Sequence, residues 1–215
     1  MGSGGGKLTD YGALTLDDYR DQLASSSPTP GGGTAAAVAL SQGAALAVMV
    51  CELTLGKERW EDGWGAAEAC RNVAQPLLAR GHELATEDAS AFDGVMAAFK
   101  MPKSTDEEIT ARKSTIQNET MNAAMVPMET AKSAFALLKT LPELAMHGNG
   151  NAVTDVGVAG LLASAACKGA LFNVEININS LPDNMASDLR AELEKLRAET
   201  RQISKNIMHA VHDRI

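Results

Sequence analysis

Apolar residues recur every three or four positions along nearly the whole chain, and this spacing limits the folds available to it more than any other feature. In the last segment the residues with this spacing are Leu189, Leu193, Leu196, Ile203 and Ile207. Such a pattern places apolar side chains on one face of a helix. Only the short segment 174–179 alternates apolar and polar residues as a strand does. We therefore expect an all-α fold, an up-and-down helical bundle.

The composition supports this expectation and limits the partners. Aromatic residues make up only 4% of the 215 residues, so the core must be built from small and flexible side chains, which suit closely packed helices. The net charge of −8 argues against a general nucleic-acid binder, which needs a basic surface. The three cysteines, Cys51, Cys70 and Cys167, are far apart and odd in number. They predict a reducing, cytoplasmic environment and no disulfide framework.

Two apolar stretches, 34–55 and 156–174, are long enough to raise the question of a membrane. Polar residues interrupt both of them, including Glu52 in the first and Lys168 in the second. A spanning helix needs about 20 nearly uninterrupted apolar residues. We expect both stretches to be buried helices and expect no membrane partner.

The helices can be placed approximately by their periodicity and their end signals. We expect residues 1–12 to be a flexible leader and residues 13–215 to be a single domain. The expected helices cover residues 16–25, 34–55, 66–100, 104–141 (with a kink at Pro127), 155–173 and 182–212. Gly56 is a typical helix stop, and Thr105 with Glu108 forms a typical capping box.

The segment Pro28-Thr29-Pro30-Gly31-Gly32-Gly33 leads directly into an apolar helix. Its prolines and glycines predict a loop. Exposed backbone amides at a helix N-terminus favour binding of an anion. A tight turn that lets two helices approach closely explains the glycines equally well, and the segment by itself does not decide between these alternatives.

Asp88 is the first candidate for chemistry, because its helical face also carries Phe92, Val95 and Phe99. A carboxylate in apolar surroundings needs a partner and tends to have a raised pKa, which suits proton transfer. A structural salt bridge is the alternative. Lys57, at the end of its helix, ordinarily interacts with the last carbonyls of that helix.

Further polar candidates lie beside the remaining loops. Lys103 follows a helix stop, where an exposed lysine is normally solvated. Thr154 or Asp155 is positioned to cap the next helix, and together with Asn149 and Asn151 it also offers polar groups to a ligand. At the far end of that helix stand Asn173, Asn177 and Asn179. The four histidines form no recognised metal pattern, so we expect no metal site.

In this order, the motifs resemble those of the formiminotransferase-cyclodeaminase and methenyltetrahydrofolate cyclohydrolase family. The resemblance runs from about Leu16 to the C-terminus. Its motifs are Ser-Pro-Thr-Pro-Gly-Gly-Gly-Thr-Ala-Ala-Ala (27–37), Leu-Thr-Leu-Gly-Lys (53–57), Asp88 with Ala91-Phe92, Met-Pro-Lys (101–103), Gly-Asn-Gly-Asn-Ala-Val-Thr-Asp (148–155) and Asn-Val-x-Ile-Asn (173–177).

The resemblance implies a helical homodimer with folate bound near the subunit interface and with no cofactor besides the folate substrate. It implies either hydrolysis of 5,10-methenyltetrahydrofolate to 10-formyltetrahydrofolate or cyclisation of 5-formiminotetrahydrofolate with loss of ammonia. The absence of a transferase segment from this sequence ranks hydrolysis first. A dimer that binds folate without catalysis is the third alternative.

The roles that follow are hypotheses at the matching positions. Asp88 and Lys57 would exchange protons, and Asp155 would orient the pterin or the attacking water. Lys103 would bind the carboxylate of the glutamate tail. The substrate-binding residues would be Thr29, Pro30, Gly31, Gly32, Gly33, Asn149, Asn151, Asn173 and Asn177.

Overall fold

The computed structural model describes residues 9–215 as helices joined by short loops. The six α-helices among these residues are α1 (Leu16–Leu23), α2 (Gly32–Thr54), α3 (Trp64–Phe99), α4 (Asp106–His147), α5 (Val153–Ile178) and α6 (Asp183–His212). Short 3-10 turns cover Tyr11–Ala13, Glu58–Gly63 and Gly150–Ala152. The expected all-α architecture is confirmed.

Helices α2, α3, α4 and α5 form an antiparallel four-helix ring. Each of them packs on the next, and α5 packs back on α2. Helix α6 lies outside the ring against α4 and α5. Short connections between long antiparallel helices produce this up-and-down arrangement. Consequently the start of α2 and the end of α5 lie at one end of the ring, and the end of α2 and the start of α5 lie at the other.

Small residues let these helices approach closely. A methyl group added at Gly81 of α3 would lie 2.8 Å from the Ala37 carbonyl oxygen of α2, and one added at Gly43 would lie 3.2 Å from the Ala159 carbonyl oxygen of α5. Alanines such as Ala44 and Ala163 are fully buried at these contacts. The scarcity of aromatic residues therefore accompanies a core in which glycine and alanine let the helices approach closely and leucines fill the remaining space.

Two predicted helix-end signals are confirmed. Gly56 has a φ of +69°, in the left-handed region that glycine adopts without strain. The Thr105 hydroxyl accepts a hydrogen bond from the Glu108 amide, and the Glu108 carboxylate accepts one from the Thr105 amide. This is the reciprocal capping box expected from the sequence.

Two predicted ends of the later helices are wrong. Helix α5 does not end at residue 173 but continues to Ile178, with Val174 and Ile178 buried one turn apart, so the alternating segment 174–179 forms no strand. Helix α4 does not end at Leu141. It continues through Pro127 and Pro142 to His147 without a non-helical residue, because Leu144 and Ala145 are buried in the core and hold its last turn. Tertiary packing here outweighs the tendency of proline to interrupt a helix.

The predicted leader (1–12) is partly outside the described residues, since these begin at residue 9. Tyr11 is buried and packs edge-on against Tyr19, with 6.2 Å between the ring centroids. The Thr86 hydroxyl also donates a hydrogen bond to the Thr9 carbonyl oxygen. Residues 9–12 are therefore part of the folded domain.

Helices α2 and α5 have the length and hydropathy of membrane spans. In each helix, 56% of the apolar 18-residue stretch is buried inside the bundle. Core helices of water-exposed bundles share these properties, so the two helices by themselves are weak evidence for a membrane.

Candidate active site

A pocket of about 330 Å³ opens where the start of α2 meets α3, α4 and α5. We call it the Asp88 pocket. It is lined by Pro28, Thr29, Gly31, Gly32, Gly33, Asp88, Phe92, Val95, Ala123, Asn173, Ile176 and Asn177. The structure thus brings together the glycine loop, Asp88 and two of the asparagines, although they are far apart in sequence. Pro30 lies in the same loop but is buried.

Asp88 is the half-buried acid of this pocket. The Thr34 hydroxyl donates a hydrogen bond to Asp88 Oδ2 over 3.1 Å. Burial raises the pKa of Asp88 above its ordinary value, while hydrogen bonds from the Thr34 hydroxyl and backbone amide lower it. Burial is the larger effect. The result is a carboxylate of increased basicity beside a cavity, as proton transfer requires.

Gly33 is needed because the Asp88 carboxylate lies directly against its backbone. A Cβ atom at Gly33 would lie 2.2 Å from Asp88 Oδ1 and 2.6 Å from Oδ2. The adjacent Gly32 is under no such constraint, since its nearest neighbour would be Asn173 Nδ2 at 3.8 Å. Close approach of a carboxylate therefore explains one glycine of the loop specifically.

The same contact changes the interpretation of the helix N-terminus. The N-cap residue of α2, Gly31, has no side chain to accept the first amides. The Asp88 carboxylate of the neighbouring helix lies at this terminus instead, where it accepts a hydrogen bond from the Thr34 hydroxyl and where the Thr34 backbone amide lowers its pKa. A helix N-terminus favours a negative charge, and here the protein supplies that charge itself. The predicted substrate anion on the loop amides would have to share this position with Asp88.

Asn173 and Asn177 lie one turn apart on α5, and their amide groups are oriented by the backbone. Asn177 Nδ2 donates to the carbonyl oxygens of Ala123 (2.8 Å) and Asn173 (2.9 Å). Asn173 Nδ2 donates to the Gly169 carbonyl oxygen over 2.9 Å. No described residue donates to either amide oxygen, so both remain acceptors for the N–H groups of a ligand.

The remaining walls of the pocket are apolar. Phe92 and Val95 of α3 face Ile176 of α5 across the pocket lining. Ile176 is 69% exposed, and Phe92 is 37% exposed. Apolar walls combined with a few fixed polar groups are typical of small-molecule binding pockets.

Lys57 and the Asn149 turn lie at the opposite end of the ring. The 23 residues of α2 separate this end from Gly33, and at about 1.5 Å per residue they span roughly 34 Å. Proton transfer requires hydrogen-bond contact. Within one chain the structure therefore does not bring Lys57, Asn149, Asn151 or Asp155 to Asp88.

At this end the polar groups mainly hold the helices together. The Thr54 hydroxyl accepts from the Asn149 amide over 3.0 Å, and Asn149 Nδ2 donates to the Leu53 carbonyl oxygen over 2.9 Å. Asn149 Oδ1 accepts from the Asn151 amide. Neither Thr154 nor Asp155 caps α5, whose N-cap is Ala152 without a side-chain bond. Lys57 is exposed.

The chain matches the family described as formiminotransferase-cyclodeaminase over residues 15–209. It belongs to this family. It is 36% identical to the methenyltetrahydrofolate cyclohydrolase of Methylorubrum extorquens, over 95% of this chain and 99% of that protein. It is also 36% identical to the formimidoyltransferase-cyclodeaminase of Gallus gallus, over 93% of this chain but only 35% of that longer protein.

A solved structure gives the same picture. The formiminotetrahydrofolate cyclodeaminase of Thermotoga maritima matches this fold with a TM-score of 0.82 and 29% sequence identity. The match covers 94% of this chain and 97% of that one. Family membership, the all-helical fold and its extent along the chain therefore agree.

Lys103 does not lie at the Asp88 pocket of this family member. Helix α3 continues 11 residues beyond Asp88 to Phe99, which is roughly 16 Å. Lys103 follows in an exposed loop after that end. The predicted contact of Lys103 with the glutamate tail is therefore less direct than one from a cation beside the pocket.

Sequence reasoning missed Thr34 and Ile176 as site residues. Thr34 is fully buried and directs Asp88, and its signal was its position in the first turn after the glycines. Ile176 stands between Glu175 and Asn177 and carries no sequence signal of a pocket wall. No group of three His, Cys, Asp or Glu residues suited to a metal ion occurs in residues 9–215.

Proposed function

We propose that this chain hydrolyses 5,10-methenyltetrahydrofolate to 10-formyltetrahydrofolate. The observation that carries the proposal is Asp88, a carboxylate of raised pKa held beside a pocket of suitable size by Thr34 and Gly33. The end-to-end similarity to a relative named methenyltetrahydrofolate cyclohydrolase supports the same reaction. The proposal includes a cytoplasmic location, as its three buried free cysteines suggest.

The chemistry requires a base and a proton donor. The bridging carbon of the substrate lies between N5 and N10 in an amidinium cation and is already electrophilic. The Asp88 carboxylate accepts a proton from a water molecule as the water oxygen adds to that carbon. The protonated group then returns that proton to N5 as the C–N5 bond breaks, and the added hydroxyl group loses its own proton to solvent, which leaves the formyl group on N10. We propose that this reaction needs no cofactor, because the charge of the substrate provides the activation.

The pocket supplies orientation as well as the base. The free amide oxygens of Asn173 and Asn177 suit the N–H groups of a pterin. Phe92 and Ile176 offer apolar surface to its rings. Binding holds the bridging carbon beside Asp88, so the hydrolysis takes place within one complex rather than by a chance collision. This lowers the activation free energy.

Cyclodeamination is the second candidate. It is supported by the similarity to the Thermotoga maritima protein named formiminotetrahydrofolate cyclodeaminase. In that reaction N10 attacks the formimino carbon and ammonia leaves, so the same carboxylate would transfer protons between the two nitrogens. Loss of methenyltetrahydrofolate absorbance on addition of the protein would support hydrolysis. Ammonia release from 5-formiminotetrahydrofolate without such a loss would favour cyclodeamination.

We further propose that the active form is a homodimer formed through an exposed apolar face of α2 and α5. This α2/α5 face contains Ala45, Met49, Leu53, Val158 and Leu161. Leu161 is 58% exposed, and the residues follow spacings of three or four. Exposed apolar stripes on two adjacent helices are typical of a subunit interface.

Such a dimer would resolve the separation of the predicted catalytic residues. A two-fold axis lying in the α2/α5 face and crossing α2 at right angles would set the Lys57 end of one subunit beside the Asp88 pocket of the other. Lys57, Asp155, Asn149 and Asn151 would then act on the partner's substrate. Helix α2 alone cannot bring them there.

Subunit complementation tests the shared site. Asp88→Asn and Lys57→Gln homodimers should each be inactive. After unfolding and refolding together, random assembly should restore about a quarter of the wild-type rate, because half of the dimers would carry one intact site of two. If mixed dimers form but activity does not recover, Asp88 and Lys57 do not form a site shared between subunits.

The interface itself is tested by Leu161→Glu, which should produce monomers in sedimentation experiments. Leu16→Glu is the control, because Leu16 is 80% exposed on α1, outside the α2/α5 face. A Leu161→Glu protein that remains dimeric would contradict this interface.

A further inference from the structure

A second hollow, of about 210 Å³, lies between α5 and α6. Its lining residues are Lys168, Leu171, Phe172, Arg197 and Arg201. Leu171 is buried beneath it, while Phe172 is 67% exposed. Three cations around an apolar floor form an unusual combination in a chain of net charge −8.

Two of these cations have no ion-pair partner among the described residues. Arg197 is paired with Glu175 and Glu194, at 2.7 Å each. Lys168 and Arg201 form no such pair with residues 9–215. Both are exposed. The uncompensated positive charge of the hollow therefore comes from Lys168 and Arg201, and it is available to an anion.

The hollow is next to the Asp88 pocket along α5. Asn173 lines the pocket, and the adjacent Phe172 lines the hollow. Ile176 stands at the pocket edge, eight residues from Lys168, which corresponds to about 12 Å along a helix. Phe172 and Ile176 lie one turn apart, so in the single subunit an exposed apolar ridge leads from the pocket to the two cations. This ridge continues the α5 side of the α2/α5 face, so in the proposed dimer the hollow lies at the edge of the subunit interface.

We propose that this hollow binds the anionic glutamate tail of the folate. The inference rests on the proposed function, which supplies the ligand. The pocket volume is at the lower end of the range for small-molecule sites, roughly 300–1,000 Å³, and suits the ring system alone. The aminobenzoyl group then lies along Phe172, and the glutamate carboxylates reach Arg201 and Lys168. The fork of the arginine can bind a carboxylate in two places.

The position favours the hollow over Lys103 as the tail site. An exposed apolar stripe of Phe92, Met96 and Phe99 also leads along α3 towards Lys103, but Lys103 lies in the loop beyond the helix end, farther from Asp88 than the roughly 16 Å to Phe99. The hollow has two unpaired cations, an exposed aromatic ring and direct continuity with Asn173. We therefore assign the tail carboxylates to Lys168 and Arg201.

The test compares methenyltetrahydrofolate carrying one glutamate with the same compound carrying three γ-linked glutamates. We expect the wild type to show a higher kcat/KM for the triglutamate, mainly through a lower KM. Since the contacts are exposed, this preference should weaken as salt is added. In Lys168→Gln/Arg201→Gln the ratio of the two kcat/KM values should fall roughly fivefold to tenfold.

Two single-charge controls make the comparison specific. Lys195→Gln removes a cation of α6 that does not line the hollow, and it should keep the wild-type ratio. Lys103→Gln tests the alternative tail site. The proposal is overturned if Lys103→Gln lowers the ratio and the double variant does not, or if the wild type does not distinguish the two substrates.

Binding distinguishes this proposal from the proposed reaction. If the wild type hydrolyses neither substrate, the proposed function fails, and equilibrium dialysis of the triglutamate folate decides the tail site. Weaker binding by the double variant than by Lys195→Gln would then support the hollow, and equal binding would overturn it.

Discussion

The two ends of the four-helix ring carry similar sets of polar residues but use them differently. At the Asp88 end, the carboxylate, Asn173 and Asn177 border an open pocket. At the Lys57 end, Asn149 is occupied with Thr54, Leu53 and Asn151. A polar motif at a helix end thus indicates a binding site only where packing leaves a cavity and free hydrogen-bonding groups. The Lys57 end gains such a cavity in our proposal only from a second subunit.

The largest expected effect is that of Asp88→Asn. Removing the base should lower kcat about 10²- to 10⁴-fold, followed by the absorbance of methenyltetrahydrofolate. Asp93→Asn is the matched control, because Asp93 lies on the same helix but is exposed and does not line the pocket. Equal rates for wild type and Asp88→Asn would show that Asp88 is not the base, and the Asp88 end would then differ from the Lys57 end only in its cavity.

Stability offers a second measurement on the same variant. Because burial raises the pKa of Asp88 in the folded state, folding binds a proton more tightly. The free energy of unfolding therefore falls as pH rises from the ordinary pKa of aspartate through the raised one. At neutral pH Asp88→Asn should unfold at a temperature no lower than wild type, so that lost activity cannot be attributed to unfolding.

Gly33→Ala should have the next largest effect. The new methyl group would occupy the position of the carboxylate, and the displaced base should reduce kcat by about 10²-fold. Gly32→Ala tests whether the effect is specific, because its methyl group would meet only Asn173 at 3.8 Å. Similar losses in both variants would show that the loop needs glycines for its backbone rather than for Asp88.

A smaller effect is expected for Thr34→Val, which removes the hydroxyl bond to Asp88 and keeps the β-branched shape. That bond lowers the pKa of Asp88, so its loss should raise this pKa further. Since the ionised carboxylate is the base, the acidic limb of the kcat profile should move to higher pH. Thr34→Ser retains the hydroxyl and should keep the wild-type profile. An unchanged limb in Thr34→Val would argue that another group titrates.

The smallest effect is the loss of stability that we expect for Asn149→Ala at the Lys57 end. Asn149→Ala removes the side-chain bonds to Leu53 and Asn151, and we expect the free energy of unfolding to fall by about 1–2 kcal/mol. Chemical denaturation measures this loss. Asn118→Ala, at an exposed position of α4, should cost less. Because the shared site also places Asn149 against the partner's substrate, the folded variant should lose activity as well, and full activity would contradict the shared site.

Much of this protein could be predicted from its sequence, because the information is local. The three- and four-residue periodicity determined the helices, the glycine at residue 56 one of their ends, and the Thr105–Glu108 pair another. Asp88 was identifiable because burying a carboxylate on an apolar helical face costs free energy unless the carboxylate has a partner. The order of the motifs indicated the family.

Other features were decided only by tertiary packing. Burial of Val174, Ile178 and Leu144 extended α5 and α4 past their local stop signals. The contact of Asp88 with Gly33 and Thr34 joins residues more than 50 positions apart, and no periodicity encodes it. The length of α2 separates Lys57 from Asp88, although both belong to one set of motifs. Sequence therefore determined which residues this protein carries on which helices, and packing determined which of them share a site.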